Sequence, residues 1–341
     1  MNHTLYQKYS RQMLFQPLGP DGQQRLARAS AVLVGCGAIG AATANLLVRA
    51  GIGSLRIIDR DFVEPSNLQR QMLFDEADAQ EALPKALAAE RKLKSINSDV
   101  AVEGLVADLN PGNAEELLSK FPLILDGTDN FESRFLVNDF AVKFGVPWIY
   151  CAAVSSYGLT MAIRPGQTAC LACLVETGAD TGLDETCDTV GVLGSIVSLV
   201  ASLQVTEAIK LLAGRPQALS GRLVSCDVWN GRFQSVVPQR NPECRVCARQ
   251  EFSHLSGAAQ PHITMCGRDS VQIHERSRIL DLKVLESRLA PTVSEVRQNG
   301  FLLRFRVPPY EMTVFADGRA ILKGTKDPAV ARSFYAKYIG A

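Results

Sequence analysis

Short apolar runs alternate with amphipathic segments over the first 154 residues. The apolar runs have the length of buried strands, and they cover residues 31–34, 55–59, 100–106, 123–126 and 147–154. The segments between them have the length of helices, and they cover residues 40–50, 84–95, 111–120 and 131–144. Strands that alternate with helices predict an α/β fold, a doubly wound, mostly parallel, Rossmann-like sheet with right-handed crossovers.

The pattern changes after residue 163. Residues 164–189 lose their periodicity and accumulate Gly, Thr, Asp and Cys, which is typical of a lid or crossover loop. A long apolar segment at 190–213 predicts a helix, and strand-like segments follow at 222–227 and 234–237. Residues 189–206 carry no charge, but serines and Gln204 dilute them and the stretch is short for a bilayer. We therefore expect a buried or interface helix here and no membrane span.

A segment rich in Ser, Gly and Ala, residues 253–261, predicts a linker. It would separate a large domain, residues 1–252, from a small α+β domain, residues 262–341. The small domain has predicted strands near residues 271–273, 302–307 and 312–315 and a final helix at 328–338. His254 and His262 lie at this linker, so we expect them to be solvated.

Composition narrows the class of protein. Apolar residues make up 47% of the 341, which is enough for a real core, and 36 basic against 35 acidic residues give a net charge of +1. Because the net charge is close to zero, the chain has no overall basic field that would favour binding to nucleic acid. The N-terminal sequence has no apolar run and no cleavage site, so we expect no secretory signal. Nine cysteines without such a signal favour a reducing, cytoplasmic location.

A glycine turn follows the first strand, with Gly35, Gly37 and Gly40 in a G-x-G-x-x-G pattern and Ala38 at the start of the next helix. Glycines let the backbone approach a phosphate, and the helix N-terminus supplies free N–H groups. Asp59 ends the next strand and is placed to accept a ribose hydroxyl. These features alone are shared with NAD-dependent oxidoreductases, which stay open as an alternative.

A polar cluster after the second strand favours a triphosphate. It consists of Asp61, Ser66, Asn67, Arg70 and Gln71, with Lys85 in the first turn of the following helix. A nicotinamide enzyme needs no such cluster beyond its ribose acid. Arg offers a planar fork and Lys a point charge for phosphate oxygens, so the cluster favours ATP.

A second half-site, Asp126-Gly127-Thr128-Asp129-Asn130, comes at the carboxyl end of the strand at residues 123–126. Mg²⁺ is commonly held by one or two carboxylates together with substrate phosphates. We therefore predict that Asp129 holds Mg²⁺ and that Asn130 lines the nucleotide site.

Taken together, these motifs resemble the ThiF/MoeB family of adenylyltransferases, relatives of the ubiquitin-activating enzymes. The motifs also include Tyr9-Ser10-Arg11-Gln12 near the N-terminus and Asp59-Arg60-Asp61 after the second strand. The resemblance covers about residues 5–248, and its most specific part is the loop after the second strand.

The resemblance implies ATP-dependent adenylation of the C-terminal glycine of a ubiquitin-like sulfur carrier that ends in Gly-Gly. It also implies site roles: Asp59 holds the ribose, Asn67, Arg70 and Lys85 hold phosphates, and Arg11 reaches the ATP of the partner subunit in a homodimer. The C-terminal extension favours a ThiF-like enzyme of thiazole biosynthesis, and a MoeB-like enzyme of molybdopterin synthesis stays open. The tail contains no rhodanese-like loop, so a separate sulfur donor protein is expected.

Two C-x-x-C pairs, Cys170 with Cys173 and Cys244 with Cys247, stand on either side of the long apolar helix. Four thiolates in two such pairs suit a closed tetrahedral Zn²⁺ site. The wide gap between the pairs fits a clip that joins distant segments, so we predict a structural zinc.

Cys187 lies at the end of the crossover loop, just before the long helix. A cysteine near a helix N-terminus has a stabilised thiolate, although Asp188 opposes this. Members of the family use such a cysteine for conjugation or persulfide chemistry, so we predict that Cys187 is reactive. A non-catalytic scaffold is a third alternative, but such chains tend to lack the Arg and Asp residues retained here.

Overall fold

The computed structural model of this chain describes residues 3–175, 190–258, 263–265, 270–274 and 279–340. The chain divides into two compact units. The larger unit comprises Met1–Gln80 and Pro84–Ala259, and the smaller one comprises Glu81–Leu83 and Gln260–Ala341.

The larger unit alternates strands and helices in its first half. The helices are α1 (His3–Met13), α2 (Gly19–Leu26), α3 (Ala38–Ala50), α4 (Glu76–Gln80), α5 (Lys85–Ile96), α6 (Ala114–Leu118), α7 (Phe131–Phe144), α8 (Leu171–Leu174) and α9 (Gly194–Leu212). The strands are β1 (Ser30–Val34), β2 (Ser54–Asp59), β3 (Ala101–Val106), β4 (Ile124–Asp126), β5 (Trp148–Val154), β6 (Tyr157–Ile163), β7 (Leu223–Asp227) and β8 (Arg232–Val236).

These strands form one sheet in the order β3-β2-β1-β4-β5-β6-β7-β8. β3, β2, β1, β4 and β5 are parallel, and β6, β7 and β8 add antiparallel strands at one side. The predicted mostly parallel, doubly wound sheet is confirmed. The carboxyl ends of β1, β2, β3 and β4 therefore meet at one edge, which is where such sheets bind ligands.

Each face of the sheet carries a separate hydrophobic cluster, because successive strand residues point to opposite sides. On one face Trp148 and Tyr150 pack with α6, α7 and α8. On the other face Cys151 packs with α3 and α9. Burial on both faces explains why the strands read as continuous apolar runs.

One prediction for this unit was wrong, and one strand was missed. The helix predicted at residues 111–120 is only α6, because side chains of Asn110 and Asn113 hydrogen-bond neighbouring backbone groups and form a turn before it. β6 was not predicted, although all seven of its residues pair with β5.

By length and composition, one helix among the described residues, α9, could cross a membrane. In this structure α9 packs against α3, β5 and β6. Its buried Gln204 accepts a hydrogen bond from Thr43 Oγ1 at 2.6 Å and donates to the carbonyl oxygens of Asp126 and Ile149. α9 is thus a core helix of this unit, as predicted.

The predicted linker, residues 253–261, begins before the larger unit ends, since that unit extends to Ala259. Residues 253–258 pack on α7, where the backbone N–H of His254 donates to the buried carboxylate of Asp139 at 2.9 Å. The ring of His254 stacks on Phe135 with centroids 5.0 Å apart. The expectation that His254 is solvated was therefore wrong, since its side chain is only 14% exposed. His262 lies outside the described residues.

The smaller unit is an antiparallel sheet in the order β11-β12-β13-β14-β10-β9, with two helices. Its elements are β9 (Ile263–Met265), β10 (Ser270–His274), α10 (Leu282–Leu289), β11 (Ser294–Gln298), β12 (Leu302–Val307), β13 (Tyr310–Phe315), β14 (Arg319–Lys323) and α11 (Pro328–Tyr338). Both helices pack on one face of the sheet around Phe305 and Tyr335. The predicted small α+β fold is confirmed.

Candidate active site

The glycine turn joins β1 to α3 at the carboxyl edge of the sheet. A Cβ atom on Gly40 would lie 2.0 Å from the carbonyl oxygen of Gly35, and one on Gly35 would lie 2.6 Å from the carbonyl oxygen of Gly127. Both positions therefore require glycine for close backbone packing. A Cβ on Gly37 would meet nothing nearer than Gln71 Nε2, at 4.0 Å. Gly37 is the N-cap residue of α3, and no side chain hydrogen-bonds to the start of the helix there. The first backbone N–H groups of α3, beginning at Ala38, can therefore donate to a phosphate.

Asp59 lies beside this turn at the end of β2. Its carboxylate accepts the backbone N–H of Cys36 at 2.5 Å and that of Asp61 at 2.7 Å. Burial raises the pKa of Asp59 to about 6, although Lys85 and the two N–H groups oppose this. The carboxylate is therefore held rigidly between β1 and β2, where the sugar of a bound nucleotide would lie.

Lys85 is the first residue of α5 and is buried. Its Nζ lies 3.2 Å from Asp61 Oδ2, and its backbone N–H donates to the carbonyl oxygen of Asp61. Burial by itself would lower the pKa of Lys85, but the carboxylates of Asp61, Asp59 and Asp129 outweigh it and raise that pKa. Lys85 is thus a charged ammonium surrounded by the predicted acids.

The loop after β2 holds the remaining cluster residues: Ser66 and Asn67 lie in a 3₁₀ turn, Pro65–Asn67, and Arg70 and Gln71 follow it. Asn67 Oδ1 accepts the backbone N–H of Glu64, so part of its role is to fix this turn. Arg70 Nη1 donates to the carbonyl oxygen of Ser66. Gln71 is 3% exposed, yet its Oε1 has no hydrogen-bond partner within the described part of the chain. An orphaned polar atom beside Gly37 fits a site that binds a polar ligand.

Asp129 and Asn130 stand between β4 and α7. Asp129 is exposed, and Asn130 Nδ2 lies 3.3 Å from Asp129 Oδ1. Asn130 Oδ1 accepts the backbone N–H of Ser133, which makes Asn130 the N-cap of α7. Asp129 is therefore available to a cation at this edge, whereas Asn130 is committed at least partly to capping.

One predicted residue, Arg11, is not brought into this cluster. Arg11 is exposed on α1 and, among the described residues, makes no hydrogen bond or ion pair with the glycine turn or Lys85. Cys187 lies outside the described residues.

A buried ion pair beneath the site escaped the sequence analysis. Asp126 accepts from Arg134 Nε at 3.2 Å and from both the N–H and the hydroxyl of Thr128. Arg134 also donates to the carbonyl oxygens of Thr128 and Cys151. The pair fixes the turn that leads to Asp129. Arg134 is the fourth residue of α7, one turn from its N-cap, and no pattern in the sequence indicates that its side chain folds back onto the end of β4.

Asp126→Asn is expected to lower the free energy of unfolding by about 3–5 kcal/mol, because Arg134 would remain buried without a counter-charge. Urea denaturation of the purified chain measures this. Asp99→Asn is the matched control, since Asp99 forms an exposed pair with Lys8 and its loss should cost less than about 1 kcal/mol. Equal effects of the two substitutions would contradict a structural role for the buried pair.

The four predicted metal ligands meet in one cluster. The sulfur atoms of Cys170, Cys173, Cys244 and Cys247 all lie within 4.8 Å of one another. Individual separations are 3.8 Å for Cys170–Cys173, 3.6 Å for Cys170–Cys244 and 3.4 Å for Cys173–Cys247. Tetrahedral Zn²⁺ with bonds of about 2.3 Å requires sulfurs about 3.8 Å apart, so the donor set fits zinc.

Comparison with known proteins decides the family. The sequence profile of the ThiF family matches residues 9–246. The chain belongs to the ThiF family. The sulfur carrier protein ThiS adenylyltransferase of Bacillus subtilis is 46% identical over 337 residues, which covers 98% of this chain and 99% of that protein. The resemblance inferred from the motifs is thereby confirmed.

Other members of the ThiF family and its fold relatives agree with this assignment. A sulfur carrier protein adenylyltransferase of Thermus thermophilus is 38% identical over 246 residues, covering 70% of this chain and 90% of that protein. A crystal structure of E. coli MccB with ATP superposes with a TM-score of 0.62 at 26% identity. It covers 70% of this chain and 74% of MccB. These relatives favour adenylation over the nicotinamide-dependent alternative.

Proposed function

We propose that this chain uses ATP to adenylate the C-terminal glycine carboxylate of a ubiquitin-like sulfur carrier protein of the ThiS type, for thiocarboxylate formation in thiazole biosynthesis. The observation that carries the proposal is the convergence of Lys85, Asp59 and Asp61 on an open glycine turn. The nearly full-length similarity to the Bacillus subtilis ThiS adenylyltransferase supports the choice of carrier.

In this reaction a carboxylate oxygen of the carrier attacks the α-phosphorus of ATP. The bond from that phosphorus to the bridging oxygen breaks, and pyrophosphate leaves with the electron pair. Lys85, held charged by its acidic neighbours, would stabilise negative charge on the phosphates, and Arg70 would extend the same cationic wall. Asp59 would orient the ribose. Ser66, Asn67, Gln71 and Asn130 would complete the nucleotide site by direct contacts or by fixing its loops.

Two metals belong to the proposal. Asp129 would hold Mg²⁺ together with phosphate oxygens, and the ion would neutralise charge on the triphosphate. Zn²⁺ held by the four cysteines would be structural, since four thiolates leave no open coordination position.

The wider assembly is also proposed. We infer a cytoplasmic homodimer in which Arg11 reaches the partner's nucleotide, and a separate sulfur donor protein that acts after adenylation. Cys187 stays a predicted reactive thiol. Mass spectrometry of a trapped carrier adduct, compared between the wild type and Cys187→Ala, would show whether it bonds the carrier.

The direct test is incubation with a ThiS-type carrier and Mg²⁺-ATP, followed by intact mass spectrometry of the carrier. A mass increase of one adenylyl group, with pyrophosphate release, is expected. A carrier without its last glycine is the matched control and should gain no mass. Absence of adenylation for every Gly-Gly carrier, or a nicotinamide absorbance change with NAD, would overturn the proposal.

The same assay separates the two pathway alternatives. A carrier subunit of molybdopterin synthase offers the same terminal chemistry, so both carriers should be compared at equal concentration. We expect the larger kcat/KM with the ThiS-type carrier, because the similarity to the Bacillus subtilis ThiS enzyme extends through the C-terminal unit.

A further inference from the structure

The strand order gives a direction for a nucleotide along the carboxyl edge of the sheet. β1 carries the glycine turn, β2 ends at Asp59, and β3 lies on the far side of β2. With phosphates at β1 and the ribose at Asp59, the base must extend toward the ends of β2 and β3, since adjacent strands are about 4.8 Å apart. This step rests on the proposed use of ATP.

An ion pair occupies that place. Arg60 follows Asp59 directly, and its Nη1 lies 3.0 Å from Oδ1 of Asp108, which follows β3. The side chains are 23% and 15% exposed. A second carboxylate, Asp61, lies 3.9 Å from Nε of Arg60. The guanidinium is therefore held by its edge between the two strand ends, and a planar cation held in this way can use its face for stacking.

The backbone around this pair is well fixed. The backbone N–H of Ala107 donates to the carbonyl oxygen of Asp59 at 3.2 Å, which ties the two strand ends together. The carbonyl oxygen of Asp108 accepts from the side-chain amides of Asn110 and Asn113 at 3.0 and 2.9 Å. These bonds use the backbone carbonyl oxygen of Asp108, so a change of its side chain leaves both acceptors in place.

We propose that Arg60 determines base specificity by stacking its guanidinium plane on the adenine ring, and that Asp108 is the positioning residue that holds this plane. The N–H groups of a guanidinium lie in its plane, and one of them, on Nη1, donates to Asp108, whereas a stacked base would use the perpendicular direction, so the two interactions are compatible. A large flat purine gains more from such a surface than a pyrimidine does.

Calorimetric titration with Mg²⁺-ATP in the absence of any carrier tests this. Arg60→Ala should weaken ATP binding about tenfold, which lies between the sizes of an exposed and of a fully desolvated cation–π contact. Arg60→Tyr keeps a flat stacking surface and should bind ATP nearly as the wild type does. Arg60→Lys keeps only the charge and should resemble Arg60→Ala. Thermal melts of all variants confirm that they fold.

Two outcomes of the titration overturn the assignment. If Arg60→Lys binds ATP normally and Arg60→Tyr binds it weakly, Arg60 interacts with the phosphate charge and does not stack on the base. If Arg60→Ala binds ATP normally, Arg60 does not contribute to ATP binding. In carrier adenylation, Arg60→Ala and Asp108→Ala should both raise KM for ATP with kcat unchanged, because stacking contributes equally to ground and transition states. KM for CTP should change less.

The calorimetric readout is independent of the proposed function. A wild-type chain that binds ATP but adenylates no carrier would disprove the proposed carrier reaction, while the Arg60 series would still decide the stacking assignment. A chain that adenylates its carrier with unchanged KM for ATP in Arg60→Ala would disprove the stacking and leave the proposed function in place.

Discussion

Replacing Cys170 with serine is expected to unfold the second half of the larger unit. Structural zinc contributes about 10–16 kcal/mol of apparent binding free energy in finger peptides, against a total stability of about 5–15 kcal/mol for a domain. The four cysteines belong to the same hydrophobic cluster as Trp148 and Phe140, so loss of the metal would loosen the α7 face of the sheet. Circular dichroism melts and zinc analysis by plasma mass spectrometry measure both parts of this effect.

Cys226→Ser provides the matched control, since Cys226 is equally buried but lies on β7 outside the cluster. It should retain one zinc per chain and lose only a small part of its stability. A strong chelator should reproduce the Cys170→Ser melt in the wild type. If the chelated chain melts at the unchanged temperature, or if the purified wild type contains no zinc, the structural role is wrong.

The parts of the fold that were predictable are those in which burial on both faces leaves an uninterrupted apolar signal. β1, β2 and β5 are such strands, and α7 was predicted with its observed bounds because Asn130 caps it and Gly145 ends it. β6 escaped because residues 155–158 introduce Ser, Tyr and Gly after β5, and nothing local shows that the chain turns back to pair along all seven residues. β5 and β6 form a hairpin joined by Ser155 and Ser156, and this pair is not one of the Asn-Gly or Asp-Gly turns by which a short hairpin is recognised in a sequence.

The residues of the site also divide into those that could be predicted from the sequence and those that could not. Asp59, Lys85 and the four cysteines were predictable because their chemistry is unusual at those spacings. The structure brings Asp59 close to Lys85 and, separately, the four cysteines close to one another. The ion pair between Asp126 and Arg134 was not predictable, since nothing in the sequence shows that the fold buries a helical Arg against this strand-end Asp. Gln204 is similar: it diluted an apolar helix in the sequence, and its function is to connect α9 to the ends of β4 and β5.

Arg11→Ala is expected to lower the adenylation rate by about 10³–10⁵-fold, the size known for an arginine supplied across an interface in phosphoryl chemistry. The expectation follows from where α1 is anchored. Gln12 donates to the carbonyl oxygen of Ala50 and Tyr9 packs at Gly51, both at the carboxyl end of α3. The glycine turn lies at the other end of this 13-residue helix, about 20 Å away. In the proposed homodimer, Arg11 therefore fits the partner's site better than its own.

Mixing two inactive variants tests this transfer. Arg11→Ala and Lys85→Met subunits, combined one to one and allowed to exchange, should regain about a quarter of the wild-type activity, because half of the twofold dimers contain one intact site. Lys8→Ala is the control on the same helix, since Lys8 pairs with Asp99 and should leave the rate nearly unchanged. If Arg11 acted within its own chain, every active site in the mixed dimers would lack either Arg11 or Lys85, and the mixture would stay inactive. Near-normal pyrophosphate exchange by Arg11→Ala alone would remove the residue from the reaction altogether.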